Sequence, residues 1–386
     1  MKEEYKQIAA YESEDFLAAL QRIASEPNFI RVLQKICHEQ THDRLTVERL
    51  LPIICGAKDL KELDKQVVFK GLFWLADHTG TCLKLEGTEN LNAPALFITN
   101  HRDIILDAAF LSILTYPFIN GRIYMGIGTN LYVQPWIEDV VRINKCFSVI
   151  RGGNPRELLE HSQLMSKYIH YELEDEHHCV WIAQREGRAK DGNDITQPAI
   201  LKMLTMTRER DFIENARHLN ITPISLSYEY DPCDYLKARE FQLKRDDANY
   251  KKCPGDDYKS MQTGIFGRKG KMIFRVTPSI NAELDAIREQ TNVRNEQISL
   301  AAQLIDKHIH ANYEIYNVNR IADDLLTGEH KWVKCYTEQE KIEFESYING
   351  QIAKIDLPEK DYDFLRFKML EMYANPLRNY LKQHNP

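Results

Sequence analysis

Between Ile98 and Asp107 the sequence reads Ile-Thr-Asn-His-Arg-Asp-Ile-Ile-Leu-Asp, an apolar run, four polar residues from Asn100 to Asp103, and then a helical pattern. A neutral imidazole at such a junction takes a proton from a hydroxyl, and a nearby carboxylate holds the ring and stabilises its charged form. His101 is the candidate for that chemistry. On position alone, a histidine that only satisfies backbone groups in a turn fits as well. A second segment, Ala183 to Gly192, brings Arg185, Arg188 and Lys190 close together, with Gly187 and Gly192 freeing the backbone. Cations and exposed amides there hold a phosphate, the guanidinium fork with two hydrogen bonds. A solvated charged loop is the ordinary alternative. A third segment, Phe147 to Gly153, places Arg151 just before a helix whose N-terminus is itself favourable to anions.

These segments need a scaffold that brings strand ends together. Four short apolar runs, 95–99, 179–183, 222–228 and 271–277, read as strands. Helical patterns between them point to an α/β fold, a central mostly parallel sheet flanked by helices. In such sheets ligands collect at the carboxyl ends of the strands, where His101 falls. Asn154 as N-cap, Pro155 at the first helical position and Glu157 able to reach back predict a helix from 155 to about 170. Helical signals dominate both ends. Phe16, Leu17, Leu20 and Ile23 share one face, and Leu60, Leu63, Val67, Trp74 and Leu75 repeat the pattern. Ile298, Ala302, Ile305 and Ile309 form a later stripe, followed by an amphipathic stretch over 362–381. The expected organisation is a helical N-terminal segment (1–85), an α/β core (86–282) and a helical C-terminal segment (283–386).

Composition narrows the function classes. Of 386 residues, 43% are apolar and 28% charged, with a net charge of −7, ordinary values for a folded protein and unlike a nucleic-acid-binding tail. No run approaches the roughly 20 apolar residues of a membrane span. The acidic first 15 residues lack the apolar core of a secretory signal, so a cytoplasmic location is expected. The eight cysteines contain no Cys-x-x-Cys pair and read as packing residues in a reducing compartment. His161, His170, His177 and His178 lie among acids, yet their spacing matches no standard zinc or facial-triad pattern, so no metal is expected. No Gly-x-Ser-x-Gly elbow, Walker loop or complete Gly-x-Gly-x-x-Gly occurs, which disfavours a hydrolase triad or a nucleotide enzyme. The stretch from Asp231 to Arg275 carries a local net charge of +4. It suits an anionic membrane surface or an acidic carrier protein, and equally a solvated insertion. Phe69 to Leu75 reads either as a helix dipping into lipid or as a core helix.

Taken in order, the motifs resemble those of the glycerophospholipid O-acyltransferase family, the glycerol-3-phosphate and lysophosphatidic acid acyltransferases. The first is Asn100-His101 with Asp107. The second is similar to Gly128-Thr129-Asn130-Leu131 together with Phe147 through Arg151. Glu186-Gly187-Arg188, with Lys190 and Gly192, resembles the third, and Ile221-Thr222-Pro223-Ile224 leading to Tyr228 the fourth. The resemblance spans about residues 86–282. It implies attack of an acceptor hydroxyl on an acyl thioester, with His101 as general base and Asp107 orienting it. It also implies that Asn100, Arg151, Glu186, Gly187, Arg188 and Lys190 bind substrate.

The co-substrate implied is an acyl carrier protein or coenzyme A thioester, with no other cofactor. The acceptor implied is a lysophospholipid, lysophosphatidic acid first and glycerol-3-phosphate or a lyso-aminolipid as alternatives, in phospholipid biosynthesis at a membrane surface reached peripherally from the cytoplasm. No nucleic acid is expected. A non-catalytic lipid-binding protein is the alternative of a different class. Two departures stand out. Five residues separate His101 from Asp107 where the family has four, and one added residue within a helix would turn the aspartate by about 100° and move it about 1.5 Å. The turn before the helix must absorb it, for instance with Asp103 as N-cap, unless Asp103 is itself the partner of His101. Arg185 also stands where the family usually has proline.

Overall fold

The computed structural model describes residues 2–39, 46–91, 94–206 and 210–384. Seven strands, β1 (Gly80–Glu86), β2 (Leu96–Thr99), β3 (Tyr124–Gly128), β4 (Cys146–Val149), β5 (Val180–Ala183), β6 (Ile221–Tyr228) and β7 (Gly270–Val276), form one sheet. Their order is β1-β7-β6-β2-β5-β3-β4. Every pairing is parallel except β6 with β7. The four strands read from the sequence are β2, β5, β6 and β7. β2 and β5 are legible as short apolar runs, the pattern of central strands covered on both faces, and β6 and β7 as β-rich segments with small polar or charged residues between the apolar ones; all four residues of β2 and all eight of β6 are buried.

Residues 80–85 correct the expected helical N-terminal segment. They form β1, in which Leu83 and Leu85 alternate with Lys84 and Glu86, a period of two that packs one face of an edge strand on β7. Strands β3 and β4 carry weaker strand signals in the sequence. Gly126 and Gly128 dilute the apolar signal of β3, and β4 is only four residues long.

Alternation along the strands sends side chains into two cores. Phe97, Trp181, Ile224, Leu226, Met272 and Phe274 meet the helices Phe69–Thr79 and Leu106–Thr115 on one face. Leu96, Ile98, Val180, Ile182 and Ile221 meet Pro155–His170, Phe212–Leu219 and Arg294–Ala311 on the other. The last of these helices carries the stripe Ile298, Ala302, Ile305 and Ile309. The boundary expected at 282/283 therefore cuts through one continuous core. The helix Pro155–His170 begins in a full capping box between Asn154 and Glu157. Phe69–Thr79 is a core helix through Leu75 and Ala76, although Phe73 is exposed.

Two further clusters close the ends. Phe16, Ala19, Leu20 and Ile23 pack on Leu50, Ile54 and Leu63, while Leu17 faces outward. At the other end, the helices Asn317–Thr327, Glu338–Ala353 and Tyr362–His384 bury Phe344, Ile348, Leu365, Met369 and Tyr373 against Ala238 and Ile273. The reading of all cysteines as packing residues holds for Cys146, Cys179 and Cys233, which are buried. It fails for Cys55, Cys82, Cys253 and Cys335, whose thiols lie on the surface of helices, an edge strand and loops.

A polar knot ties the C-terminal helices to the core. Asp234 is fully buried and accepts hydrogen bonds from the Tyr347 and Tyr373 hydroxyls, each at 2.8 Å, and from Gln351 Nε2 at 2.7 Å. Burial and the charge of nearby Asp231 push its carboxyl up to about 7, against the hydrogen bonds. A carboxyl whose folded pKa is raised favours folding below its ordinary pKa of about 3.9 and loses that contribution as pH rises through the folded value. The melting temperature of Asp234→Asn relative to wild type is therefore predicted to rise as pH goes from about 4 to about 8. A pH-independent difference between the two would contradict this.

Candidate active site

Parallel register brings the strand-end loops to one edge. Thr99 lies opposite both Ala183 and Ile224, and Gly128 opposite Val149. The segments beginning at Asn100, Gly128, Ile150 and Gln184 therefore leave the sheet on the same side. Because β7 runs antiparallel to β6, and β1 parallel to β7, Gly270 and Gly80 start their strands at this edge as well, with Lys269 just before β7.

Asn100 continues the ladder with its side chain after β2 ends. Its Oδ1 accepts from the Leu226 N–H at 2.8 Å and its Nδ2 donates to the Leu226 carbonyl at 2.9 Å. It has no exposed surface. Expected to touch substrate, Asn100 has both amide atoms bonded to β6, which fixes the backbone from which His101 emerges. The His101 ring stands edge-on to Trp181, centroids 6.2 Å apart at 70°, and Trp181 Nε1 donates to Thr99 Oγ1.

His101 Nδ1 lies 2.8 Å from Asp107 Oδ2. The same oxygen accepts the backbone N–H of Arg102 at 2.6 Å and of Asp103 at 3.0 Å. An oxygen already receiving two N–H donors is an acceptor, so the ring proton sits on Nδ1 and the lone pair on Nε2. Among the described residues no group of the chain hydrogen-bonds Nε2, and the side chain keeps 12% of its surface exposed while that of Asp107 keeps none. The arrangement can accept a proton at Nε2 and stabilise the resulting imidazolium through Asp107.

The extra residue between His101 and Asp107 is absorbed ahead of the helix. Asp103 Oδ1 accepts the N–H groups of Ile105 at 2.9 Å and Leu106 at 2.8 Å, closing a turn before Leu106–Thr115 begins. Asp107 thus falls in the first helical turn, where the exposed amides favour a carboxylate. Asp103 caps the turn ahead of the helix, whose own N-cap position is Ile105 rather than Asp103, and Asp107 is the partner of the histidine.

Around this pair lie buried charges on several elements. Burial raises the Asp103 carboxyl while Lys269 opposes the rise. Burial brings Lys269 down to about 8, against Asp103. Its Nζ donates to the Gly264 and Gly267 carbonyls at 2.6 and 2.9 Å, closing the end of the helix Pro254–Phe266. A Cβ on Gly264 would stand 2.1 Å from Asp103 Oδ2, so only glycine permits this approach. Tyr228, at the end of β6, is held well above its ordinary pKa by burial and then by Asp107 and Asp103, and stays a phenol. Tyr228 at the end of β6, Asp231 in the turn after it and Lys269 just before β7 complete the site. Nothing in the spacing around Lys269 signals its role.

The cationic segments assemble beside the histidine loop. Arg151 pairs with Glu186 at 2.9 Å, and its N–H donates to Thr129 Oγ1 at 3.0 Å, so the loops after β3, β4 and β5 are joined. Gly187 has φ of +65°, a value that glycine takes without strain. Burial works against the charge of the Arg188 guanidinium, and the nearby carboxylates of Asp231 and Asp103 favour it. Lys190, expected to bind substrate, has a partner within the chain. Its ammonium pairs with Glu240 on the helix Asp234–Asp246, so its contact is within the fold. His170 and His178 pair with Glu174 and Glu172 at 2.6 and 2.7 Å, and the described residues hold no group of three His, Cys, Asp or Glu side chains placed to bind a metal.

Residues 82–229 match the family model described as Acyltransferase. Among solved structures the chain is similar to the 1-acyl-sn-glycerophosphate (LPA) acyltransferase, PlsC, from Thermotoga maritima. The identity is 11%, the likeness covers 77% of this chain and 95% of that one, and the TM-score is 0.34. No curated protein matches the chain.

The two aspartates are predicted to separate in stability measurements. Asp103→Asn keeps a capping oxygen and removes a buried charge, and leaves the folding free energy at neutral pH within about 1 kcal/mol of wild type. Asp107→Ala strips three buried donors of their acceptor and costs about 3 kcal/mol or more. Chemical denaturation checks both values, and the reverse order would contradict the assignment of cap and partner.

Proposed function

We infer that this chain, whose residues 82–229 match the acyltransferase family model, transfers a fatty acyl group from an acyl thioester to a hydroxyl of lysophosphatidic acid, with His101 as general base. The observation that carries the reading is the 2.8 Å contact of His101 Nδ1 with buried Asp107, which leaves Nε2 at the strand-end edge without a partner among the described residues. In this mechanism Nε2 takes the proton of the acceptor hydroxyl as its oxygen attacks the thioester carbonyl carbon. The tetrahedral intermediate then expels the thiolate, the C–S bond breaks, and the imidazolium returns the proton to sulfur. An ester and a free thiol result, and His101 ends neutral. Proton transfer of this kind contributes about 10²- to 10⁴-fold, and the remainder comes from positioning the two substrates and stabilising the oxyanion.

The Arg151–Glu186 pair, Gly187 and Arg188 are the proposed site for the acceptor phosphate and glycerol. Their support is position, at the mouth of three adjoining strand-end loops. The donor is the thioester of acyl carrier protein or coenzyme A. Peripheral contact with the cytoplasmic face of a membrane belongs to the same proposal. Its support is the exposed Ile105, Val133, Leu158 and Leu159, each in or just after a loop at this edge. Among the described residues no helix is long and apolar enough to cross a membrane.

Purified protein incubated with palmitoyl thioesters of both carriers and with lysophosphatidic acid, glycerol-3-phosphate or a lyso-aminolipid should release thiol fastest with lysophosphatidic acid. In His101→Ala, turnover should fall by about 10³-fold or more, with the circular dichroism spectrum unchanged. Undiminished turnover in that variant would overturn the role given to His101, and a faster rate with another acceptor would overturn the choice of acceptor.

A further inference from the structure

One buried carboxylate holds both residues that flank His101. Asp194 lies two residues past Gly192 in the loop after β5 and has no exposed surface. Its Oδ2 meets Arg102 NH2 at 2.6 Å and Asn100 Nδ2 at 3.4 Å, and its Oδ1 meets Arg102 NH1 at 3.4 Å. The remaining donors come from the C-terminal segment. Tyr313, two residues past the helix Arg294–Ala311, donates its hydroxyl to Oδ2 at 2.6 Å. His310 Nε2 meets the Asp194 carbonyl at 2.5 Å, and the Arg102 guanidinium sits over the Tyr313 ring, 5.9 Å from its centroid.

The consequence follows from chain connectivity. His101 shares its two peptide bonds with Asn100 and Arg102, so a group that fixes both neighbours fixes the backbone that aims the imidazole. Arg102 is itself buried, and a buried guanidinium requires an anion in contact. Arg102 also donates its backbone N–H to the Asp107 oxygen that receives His101. Moving Arg102 therefore disturbs the histidine's own partner.

We propose that Asp194 and Tyr313 form a clamp that positions the Asn100–Arg102 turn, so that the C-terminal helix Arg294–Ala311 is part of the support of the active site. Neither residue touches a reacting atom, and both are positioning residues. The proposal deepens the reading of His101 as general base and rests on it for its kinetic consequence, while its structural consequence is independent of activity.

The test uses the full-length protein and the downfield proton resonance of His101 Nδ1–H on Asp107, assigned by its disappearance in His101→Gln. In Tyr313→Phe, which removes one hydroxyl and keeps the ring, and in Asp194→Asn, the resonance is expected to shift upfield or broaden into exchange with water. The kcat of acyl transfer should fall by about 10- to 100-fold with KM within about twofold, as expected for misplacement of a catalytic group. The double variant Arg102→Gln/Asp194→Asn, with neither charge buried, should recover most of the resonance and of kcat.

An unmoved resonance and an unchanged kcat in Tyr313→Phe and Asp194→Asn, even with a lowered melting temperature, would overturn the clamp. If His101→Ala stays active while the resonance responds in both clamp variants, the clamp stands and the general-base reading falls. If Asp194→Asn does not fold, Tyr313→Phe alone decides.

Discussion

The site depends on a single carboxylate oxygen. Asp107 Oδ2 gathers the ring N–H of His101 and the backbone N–H groups of Arg102 and Asp103, and so fixes in one place the tautomer of the histidine and the conformation of the turn that carries it. An acceptor at the first turn of a helix can do this because the amides there have no partner within the helix. The turn in turn requires β2 to end where it does, with Asn100 continuing the pairing to β6 through its side chain. Strand end, turn, helix start and imidazole thus form one mechanical unit.

The surroundings of that unit are charged and largely buried. Arg102 with Asp194, and Arg188 with Asp231 and Asp103, compensate one another, and Lys269 stands beside Asp103 on carbonyls of the helix Pro254–Phe266. Breaking the Arg102–Asp194 contact leaves a buried charge behind and costs far more than the pair contributes to stability. A site built in this way is held rigid from several elements at once: the turns after β2, β5 and β6, the start of β7, and the C-terminal helices. That rigidity suits a reaction in which two substrates must be aligned and only one proton moves.

Much of this was legible in the sequence, for identifiable reasons. The buried strands β2 and β5 announce themselves by apolar runs, and the capped helix Pro155–His170 by Asn154-Pro155-x-Glu157. His101 and Asp107 are recognisable by motif. The five-residue spacing between them, an apparent defect in one dimension, becomes a turn closed by Asp103. Other parts were hidden. Strand β1 lies within a stretch dominated by helical patterns, and β3 is diluted by glycine. Asn100 and Lys190 carry the polar character of substrate contacts, yet their partners Leu226 and Glu240 are distant in sequence and only folding brings them together. Lys269, Asp194 and Tyr313 belong to no local pattern, because their roles exist only where β7, the loop after β5 and the C-terminal helix meet.

His101 is proposed to move the proton that couples ester formation to thiol release. Mass spectrometry of the acylated lipid, run together with quantification of free thiol in the same reaction, tests it most directly. The account predicts phosphatidic acid and thiol in equal amounts from the wild-type chain and neither above background from His101→Gln. Thiol released without lipid ester, or equal amounts of both from the variant, would contradict it.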